Sequence, residues 1–208
     1  MRNPWESLDL NIYEKHMNLK NVAQIPLLNN IMKSQFSYID IDSVAIFGVA
    51  GGNGLEHVNN NLNKIYCIDI NIEYLDAIKK RYSHLNNLIF ENLDLNDSSI
   101  DLKEADLVIA NLIIEYIGLN SFLTQIKKIR PIYVSCVIQN NTKNIKNSFV
   151  SDSIYSDSLK EISKLGFFIN KAELINKMNK IDYKCILNEK YDLPYNKAFI
   201  RFDFKKVI

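Results

Sequence analysis

The sequence predicts an α/β fold: a doubly wound, mostly parallel sheet of seven strands that ends in an antiparallel C-terminal strand. Short apolar runs alternate with amphipathic segments from Ser43 onwards, which is typical of a parallel sheet covered on both faces. A glycine-rich turn follows the first of these runs. The last segment, 197–205, alternates apolar and polar residues after a proline-containing turn, which indicates an antiparallel pair of strands.

Two helical segments come before the sheet. The first carries Tyr13, His16 and Met17 on one face, and the second can begin near Pro26, since proline is favoured in the first turn of a helix. We expect residues 1–40 to form a helical lid and residues 41–208 to form the main globular unit.

The apolar runs give the positions of the strands. Strands are predicted at 44–47, 65–68, 88–90, 105–110 and 132–138, followed by extended segments at 183–187 and 197–205. A helix is expected from about Gly54, and another carries Ile72, Leu75 and Ile78 at helical spacing. Ligands of such sheets bind outside the carboxyl ends of the strands, so functional residues are expected directly after each strand.

The composition argues against several classes of protein. The chain has 208 residues, 47% of them hydrophobic, and a net charge of +1, which suits one folded domain and disfavours a dedicated nucleic-acid binder. Cys67, Cys136 and Cys185 are far apart, so neither a disulfide framework nor a zinc site is expected. Without a signal-peptide core or a membrane-spanning run, the chain is expected to be cytoplasmic and not to enter a membrane.

The turn after the first strand and the end of the second strand are suited to hold a nucleoside. Glycines at the turn, among them Gly48 and Gly52, let the backbone approach a ligand closely. Asp69 ends the second strand, 21 positions after Gly48, and in dinucleotide folds an acid about 20 residues on accepts hydrogen bonds from ribose hydroxyls. The alternatives are an ordinary tight turn and a helix-capping aspartate.

A third acid follows the third strand. Asp94 is suited to accept a hydrogen bond from an adenine amino group, and Leu95 to pack on the ring. The alternative for Asp94 is a turn-forming aspartate.

This series of a glycine-rich turn, Asp69 and Asp94 resembles class I S-adenosylmethionine (SAM)-dependent methyltransferases over about residues 40–208. The resemblance implies that SAM is the cofactor, that S-adenosylhomocysteine is its product, and that residues 41–208 form a SAM-binding domain. We expect the methyl acceptor to be a small molecule. The residues expected to bind the cofactor are Gly48, Val49, Ala50, Gly52, Asn53, Asp69, Ile70, Asp94, Leu95 and Asn111.

Two positions depart from the family's pattern. Ile46 stands where the family usually has an acid, and Ala50 replaces the middle glycine. Binding of the amino-acid part of SAM is therefore expected to rely on backbone N–H groups of residues 52–54. A nicotinamide dehydrogenase fits less well, because Ala50 and Asn53 interrupt its G-x-G-x-x-G pattern. A non-catalytic SAM-binding module and an RNA methyltransferase remain alternatives, and the near-neutral charge disfavours the second.

Methyl transfer depends on alignment of the acceptor and exclusion of water rather than on a fixed catalytic triad. By the resemblance, Asn111 lies beside the transferred methyl group, while nearby Glu115 is suited to steer a cationic acceptor or take a proton. His16 and Tyr13 on the first helix are the other catalytic candidates, with simple packing as the alternative. No metal is expected. The polar segment 139–155 is expected to form a mobile lid.

Overall fold

The computed structural model describes residues 3–38, 40–58, 61–141 and 150–207, so residues 142–149 of the predicted mobile lid, 139–155, lie outside the described residues. The strands are β1 Ser43–Phe47, β2 Lys64–Asp69, β3 Leu88–Asn92, β4 Leu107–Asn111, β5 Tyr133–Asn141, β6 Tyr183–Leu193 and β7 Lys197–Lys206. They form one sheet in the order β3-β2-β1-β4-β5-β7-β6. The first five strands are parallel, and β7 runs antiparallel to β5 and β6 on either side of it. The predicted fold class is confirmed.

Helices flank the sheet on both faces. They are α1 Leu10–Asn18, α2 Gln24–Gln35, α3 Ile72–Arg81, α4 Ile114–Ile129, α5 Lys160–Ser163 and α6 Lys171–Asn179, with 3₁₀ turns at Pro4–Ser7, Leu55–His57 and Pro194–Asn196. Asp9 begins α1 by accepting the N–H of Ile12 on its side chain, and Asn71 begins α3 by accepting the N–H of Glu73. These side chains satisfy N–H groups that have no partner inside the helix.

The prediction of a helix from Gly54 is wrong. Between Gly54 and β2, the helical part of the described residues is limited to the 3₁₀ turn Leu55–His57, and Val58, with φ −58° and ψ 126°, is no longer helical. Nine residues, 55–63, separate Gly54 from β2, and the asparagines among them are poor helix formers. The side of the sheet that this helix would cover is covered by α2. Met32 of α2 and Phe36, which follows its last residue, pack with Leu55 and the β1 residue Ile46.

The core lies on both sides of the sheet. One side of β1 and β4 packs against α4, with Phe47, Ala110 and Phe122 all fully buried. The other side packs against α2 and α3. Cys67 and Cys136 are buried and unpaired. None of the helices in the described ranges is long and apolar enough to cross a membrane.

Candidate active site

A deep cavity opens at the carboxyl ends of β1, β2 and β4, and the N-terminal segment 3–24 covers it. The cavity and its mouth enclose about 1120 Å³. The strand ends and the loops after them contribute Gly48, Ala50, Asp69, Ile70, Asp94, Leu95 and Asn111, and the covering segment contributes Asn3, Trp5, Tyr13, His16, Met17 and Gln24. Glu115, from the first turn of α4, also lines it.

Asp69 connects the glycine turn to the end of β2. Its Oδ2 accepts the backbone N–H of Ala50 at 2.9 Å, and its Oδ1 accepts the backbone N–H of Asn71 at 2.9 Å. Burial raises the pKa of this carboxyl, and the backbone N–H groups oppose that rise. The side chain therefore orders the turn and also lines the cavity. It does not cap the following helix, because Asn71 is the N-cap of α3.

The first part of the turn, residues 48–50, has a left-handed backbone at two positions. Gly48 has φ +67° and Ala50 has φ +47°, and the second value is uncommon for a residue with a Cβ. The N–H of Gly48 donates to the carbonyl of Ile68 on β2, at 2.9 Å. These contacts bring the backbone of residues 48–50 to the cavity wall.

Asp94 and Leu95 also line the cavity. Asp94 Oδ1 accepts the N–H of Asn96 at 2.9 Å, so Asp94 forms the turn given as its alternative role while also lining the cavity. Leu95 is buried, and its carbonyl accepts an N–H from the buried Gln125 of α4 at 2.9 Å. Sequence reasoning did not identify Gln125, because its partner is 30 residues away in the chain.

Gly52, Asn53 and Val49 do not line this cavity. A Cβ on Gly52 would lie 2.8 Å from the Tyr82 ring, so packing against α3 explains this glycine. The Asn53 side chain donates to the carbonyl of Ile25 at 3.1 Å. Val49 and Asn53 line a smaller neighbouring cavity, about 550 Å³ with its mouth, which shares Gly48, Ala50, Tyr13 and Asn111 with the main one.

Asn111 is held by a polar network that sequence reasoning missed. Its side-chain amide exchanges two hydrogen bonds with the amide of Gln35 on α2, at 2.8 and 2.9 Å. Gln35 also donates to Ser135 Oγ at 2.8 Å, and Ser135 donates to Asp203. Asp203 is paired with Arg201 at 2.6 Å, and both are almost fully buried on β7. A glutamine on the apolar face of the predicted second helix was the available signal.

Glu115 is the most deeply buried acid of the cavity, with 1% of its surface exposed. Its Oε1 accepts the backbone N–H of Gln139 at 2.6 Å, whereas Oε2 has no hydrogen-bond partner among the described residues. Burial raises the pKa of this carboxyl to about 7. The left-handed backbone of Gly118, with φ +74°, interrupts α4 directly after the turn that carries Glu115.

Tyr13 and His16 both face the cavity from α1. Tyr13 packs between Trp5 and Tyr74, at ring distances of 5.8 and 6.4 Å, and burial raises the pKa of its hydroxyl above the ordinary value. His16 Nδ1 lies 2.8 Å from Ser153 Oγ, and burial lowers the pKa of its ring. Sequence reasoning missed Trp5, because a single aromatic near a chain end has no periodic pattern.

Arg81 and Asn71 both attach the covering segment to the sheet domain. Arg81 of α3 holds both carboxylate oxygens of Glu14, at 2.6 and 3.0 Å, and donates to the carbonyl of Gly51 at 2.6 Å. The Asn71 side chain donates to the carbonyl of Trp5 at 2.9 Å. No three described His, Cys, Asp or Glu side chains are grouped to hold a metal ion.

Solved structures of class I methyltransferases share this fold. N-methyltransferase NodS from Bradyrhizobium japonicum WM9, in complex with S-adenosylhomocysteine, matches with a TM-score of 0.68 and 9% identity over 100% of both chains. Geranyl diphosphate methyltransferase with geranyl diphosphate and sinefungin gives a TM-score of 0.68 and 9% identity over 97% of this chain and 86% of that one. Magnesium protoporphyrin IX methyltransferase from Synechocystis PCC 6803 gives 0.61 and 10%, over 98% and 91%. The predicted resemblance in fold is confirmed.

Sequence comparisons add little to this result. No family model matches the chain. Non-structural protein 2 of Rotavirus C is 25% identical over 147 residues, which cover 64% of this chain and 46% of that protein. The chain thus matches less than half of this curated relative.

Proposed function

We propose that this chain is a SAM-dependent methyltransferase that acts on a small molecule and releases S-adenosylhomocysteine. The observation that carries the proposal is the main cavity at the strand ends, which the glycine turn, Asp69 and the Asp94–Leu95 turn all line. The bound S-adenosylhomocysteine and sinefungin named for the neighbouring structures support the same cofactor. Nothing observed favours a nucleic-acid acceptor at a net charge of +1.

The residues at the β2 end of the cavity fit a nucleoside. A carboxylate has about four acceptor positions, and backbone N–H groups occupy one on each oxygen of Asp69; the others are suited to ribose hydroxyls. Trp5 Nε1 and Tyr74 Oη are buried without a partner among the described residues, and both side chains line this cavity. Buried polar atoms are rarely left unpaired in folded proteins, so a ligand that hydrogen-bonds here is expected.

The adenine ring and the amino-acid part of SAM are assigned to the flanking walls. Asp94 would accept a hydrogen bond from the adenine amino group, and Ile70 and Leu95 would be the apolar neighbours of the adenine ring. Gly48, Ala50 and Asn111 would face the amino-acid part, together with Val49 and Asn53 in the neighbouring cavity. Gly52 would contribute through the conformation of the turn, because it lines neither cavity.

When bound, SAM supplies a methyl carbon activated by a sulfonium. The chain's own residues exclude water and orient the acceptor. Asn111, fixed by Gln35, would position the reacting end. Tyr13 would act as a hydrogen-bond donor, because burial keeps its hydroxyl protonated. Glu115 would take a proton from the acceptor, and His16 is the other candidate for that role.

Calorimetry with S-adenosylhomocysteine tests the proposal. Asp69→Ala should weaken its binding at least tenfold, because the ribose hydroxyls lose their acceptor. Asp76→Ala is the matched control: Asp76 is an exposed acid on α3 that pairs with Lys79, and its removal should leave the affinity unchanged. Circular dichroism checks that both variants fold. Absence of binding to the wild-type protein would refute the proposal.

A non-catalytic SAM-binding module is the second candidate. The left-handed Ala50 and the 3₁₀ turn in place of a helix after Gly54 favour it, because a helix N-terminus normally helps to hold an anionic group. It predicts S-adenosylhomocysteine binding without methyl transfer to any acceptor of a broad screen. We also propose a cytoplasmic location: all three cysteines are unpaired, which is usual in a reducing compartment.

A further inference from the structure

The wall of the cavity carries acidic side chains without basic ones to balance them among the described residues. Three carboxyl groups line it, those of Asp69, Asp94 and Glu115, and none of the described lining residues is a lysine or arginine. His16 contributes no fixed positive charge near neutral pH, because burial lowers the pKa of its ring. Lys197 lies near His16 but donates to Ser151 Oγ at 2.9 Å, and it is not part of the cavity wall. An anionic acceptor would meet like charges in a low-dielectric site, whereas a cation would be attracted.

Glu115 provides a position at which that cation can bind. Its Oε1 is occupied by the N–H of Gln139, and the buried Oε2 has no partner among the described residues. A buried carboxylate is costly unless a donor or a cation pairs with it. A ligand group that carries N–H donors and a positive charge satisfies both needs.

Aromatic rings lie beside this position. Tyr116, the residue after Glu115, packs edge-to-face against Trp5 at a ring distance of 4.9 Å, and Trp5 packs against Tyr13 at 5.8 Å. All three line the cavity. Faces of Trp and Tyr attract ammonium groups, and their rings pack well on aromatic or apolar bodies.

We propose that the acceptor is an amine that binds in its ammonium form, with its nitrogen against Glu115 Oε2, and that the methyl group is transferred to this nitrogen. The inference rests on the function proposed above. The ammonium nitrogen gives one proton to Glu115 Oε2, which leaves a lone pair on nitrogen. That lone pair forms the new N–C bond, the electron pair of the broken C–S bond stays on sulfur, and the positive charge passes from sulfonium to nitrogen.

The acid strengths agree with this proton transfer. An alkylammonium loses its proton near pH 10 in water. Desolvation in the cavity lowers the pKa of this group, whereas the nearby carboxylate opposes that change. Burial meanwhile raises the pKa of Glu115 to about 7. Because the pKa of the Glu115 carboxyl is raised, the two groups are closer in acidity than they are in water, which favours proton transfer between them. A neutral alcohol is a much weaker acid than an ammonium group and brings no charge to pair with the carboxylate.

Binding of three matched probes to the protein saturated with S-adenosylhomocysteine tests the inference. Benzylamine, benzyl alcohol and benzoate differ in charge at one end and share a ring for the aromatic wall. At pH 8, calorimetry should show benzylamine binding at least tenfold more tightly than benzyl alcohol, and no binding of benzoate. Glu115→Gln should remove the preference for the amine while leaving the affinity for S-adenosylhomocysteine unchanged.

Glu91→Gln is the matched control. Glu91 on β3 also has a buried oxygen without a partner among the described residues, and burial also raises its pKa, but it does not line the cavity. This variant should keep the amine preference. Equal binding of amine and alcohol, no binding of benzylamine at millimolar concentration, or a preference retained in Glu115→Gln would overturn the inference. Failure of S-adenosylhomocysteine itself to bind would instead overturn the proposed function.

Discussion

Replacing Glu115 by glutamine should make the ligand-free protein more stable, and the gain should grow with pH. In the folded chain burial raises the pKa of this carboxyl from 4.5 to about 7. Between these two values the folded state holds a proton that the unfolded state has released, so the wild type is most stable below pH 4.5 and loses this contribution as pH rises through 7. Glutamine cannot ionise, and its amide oxygen can still accept the N–H of Gln139.

The size of the effect follows from the shift. One pKa unit corresponds to about 1.4 kcal/mol, so a rise from 4.5 to about 7 amounts to about 3 kcal/mol once the carboxyl is ionised in both states. At pH 5 only about 1 kcal/mol of this difference has developed. The stability advantage of Glu115→Gln over the wild type should therefore grow by about 2 kcal/mol between pH 5 and pH 8.

Urea unfolding at several pH values measures the effect directly. The free energies of unfolding of the two proteins are compared at each pH, so contributions from all other titrating groups cancel to first order. Glu91→Gln again serves as a control, and it should show a smaller dependence because Glu91 is less buried than Glu115. An advantage that is constant from pH 5 to pH 8 would show that Glu115 ionises normally in the folded protein and would refute the reasoning.

Three further substitutions test the turn and the covering segment. Ala50→Gly should raise the free energy of unfolding by up to about 1 kcal/mol, because φ is +47° at this position; a loss of stability in urea unfolding would contradict this. Gly54→Ala should lower the free energy of unfolding by at least about 2 kcal/mol in the same assay. Gly54 has φ +92°, and a Cβ at this position would lie 2.6 Å from Met32 Cβ. An unchanged stability would show that the turn can rearrange. Arg81→Gln should lower the free energy of unfolding by less than about 1 kcal/mol, since the salt bridge to Glu14 is partly exposed. It should nevertheless speed proteolytic cleavage within residues 3–24. An unchanged rate of cleavage would mean that this salt bridge does not hold the covering segment.

The candidate site was predictable where its residues follow strands. The glycine turn and Asp69 are separated by one strand and a short connection, and parallel strands bring both to the same edge of the sheet. The same rule placed Asp94, Asn111 and Glu115, and all of them line one cavity. In these cases the chemistry of a residue and its position after an apolar run were enough to place it.

The partners of these residues were not predictable in the same way. Gln35 meets Asn111 because α2 crosses the sheet, 76 residues earlier in the chain. Arg201 and Asp203 do alternate with the apolar residues of β7, but both are buried beside α2 rather than exposed. Such contacts depend on how helices pack on the sheet, and a local pattern carries no information about that packing.

The sequence alone determined the order of the strands along the chain, the turn between β1 and β2, and the acids at the strand ends. These features depend on apolar periodicity, glycine positions and strand length, which are all local properties of a few consecutive residues. The tertiary structure decided that α2 covers the side expected for a helix after Gly54, that segment 3–24 closes the cavity, and that Glu115 is buried with one oxygen unpaired. Burial is a property of the packed molecule, and it is burial that raises the pKa of Glu115 to about 7.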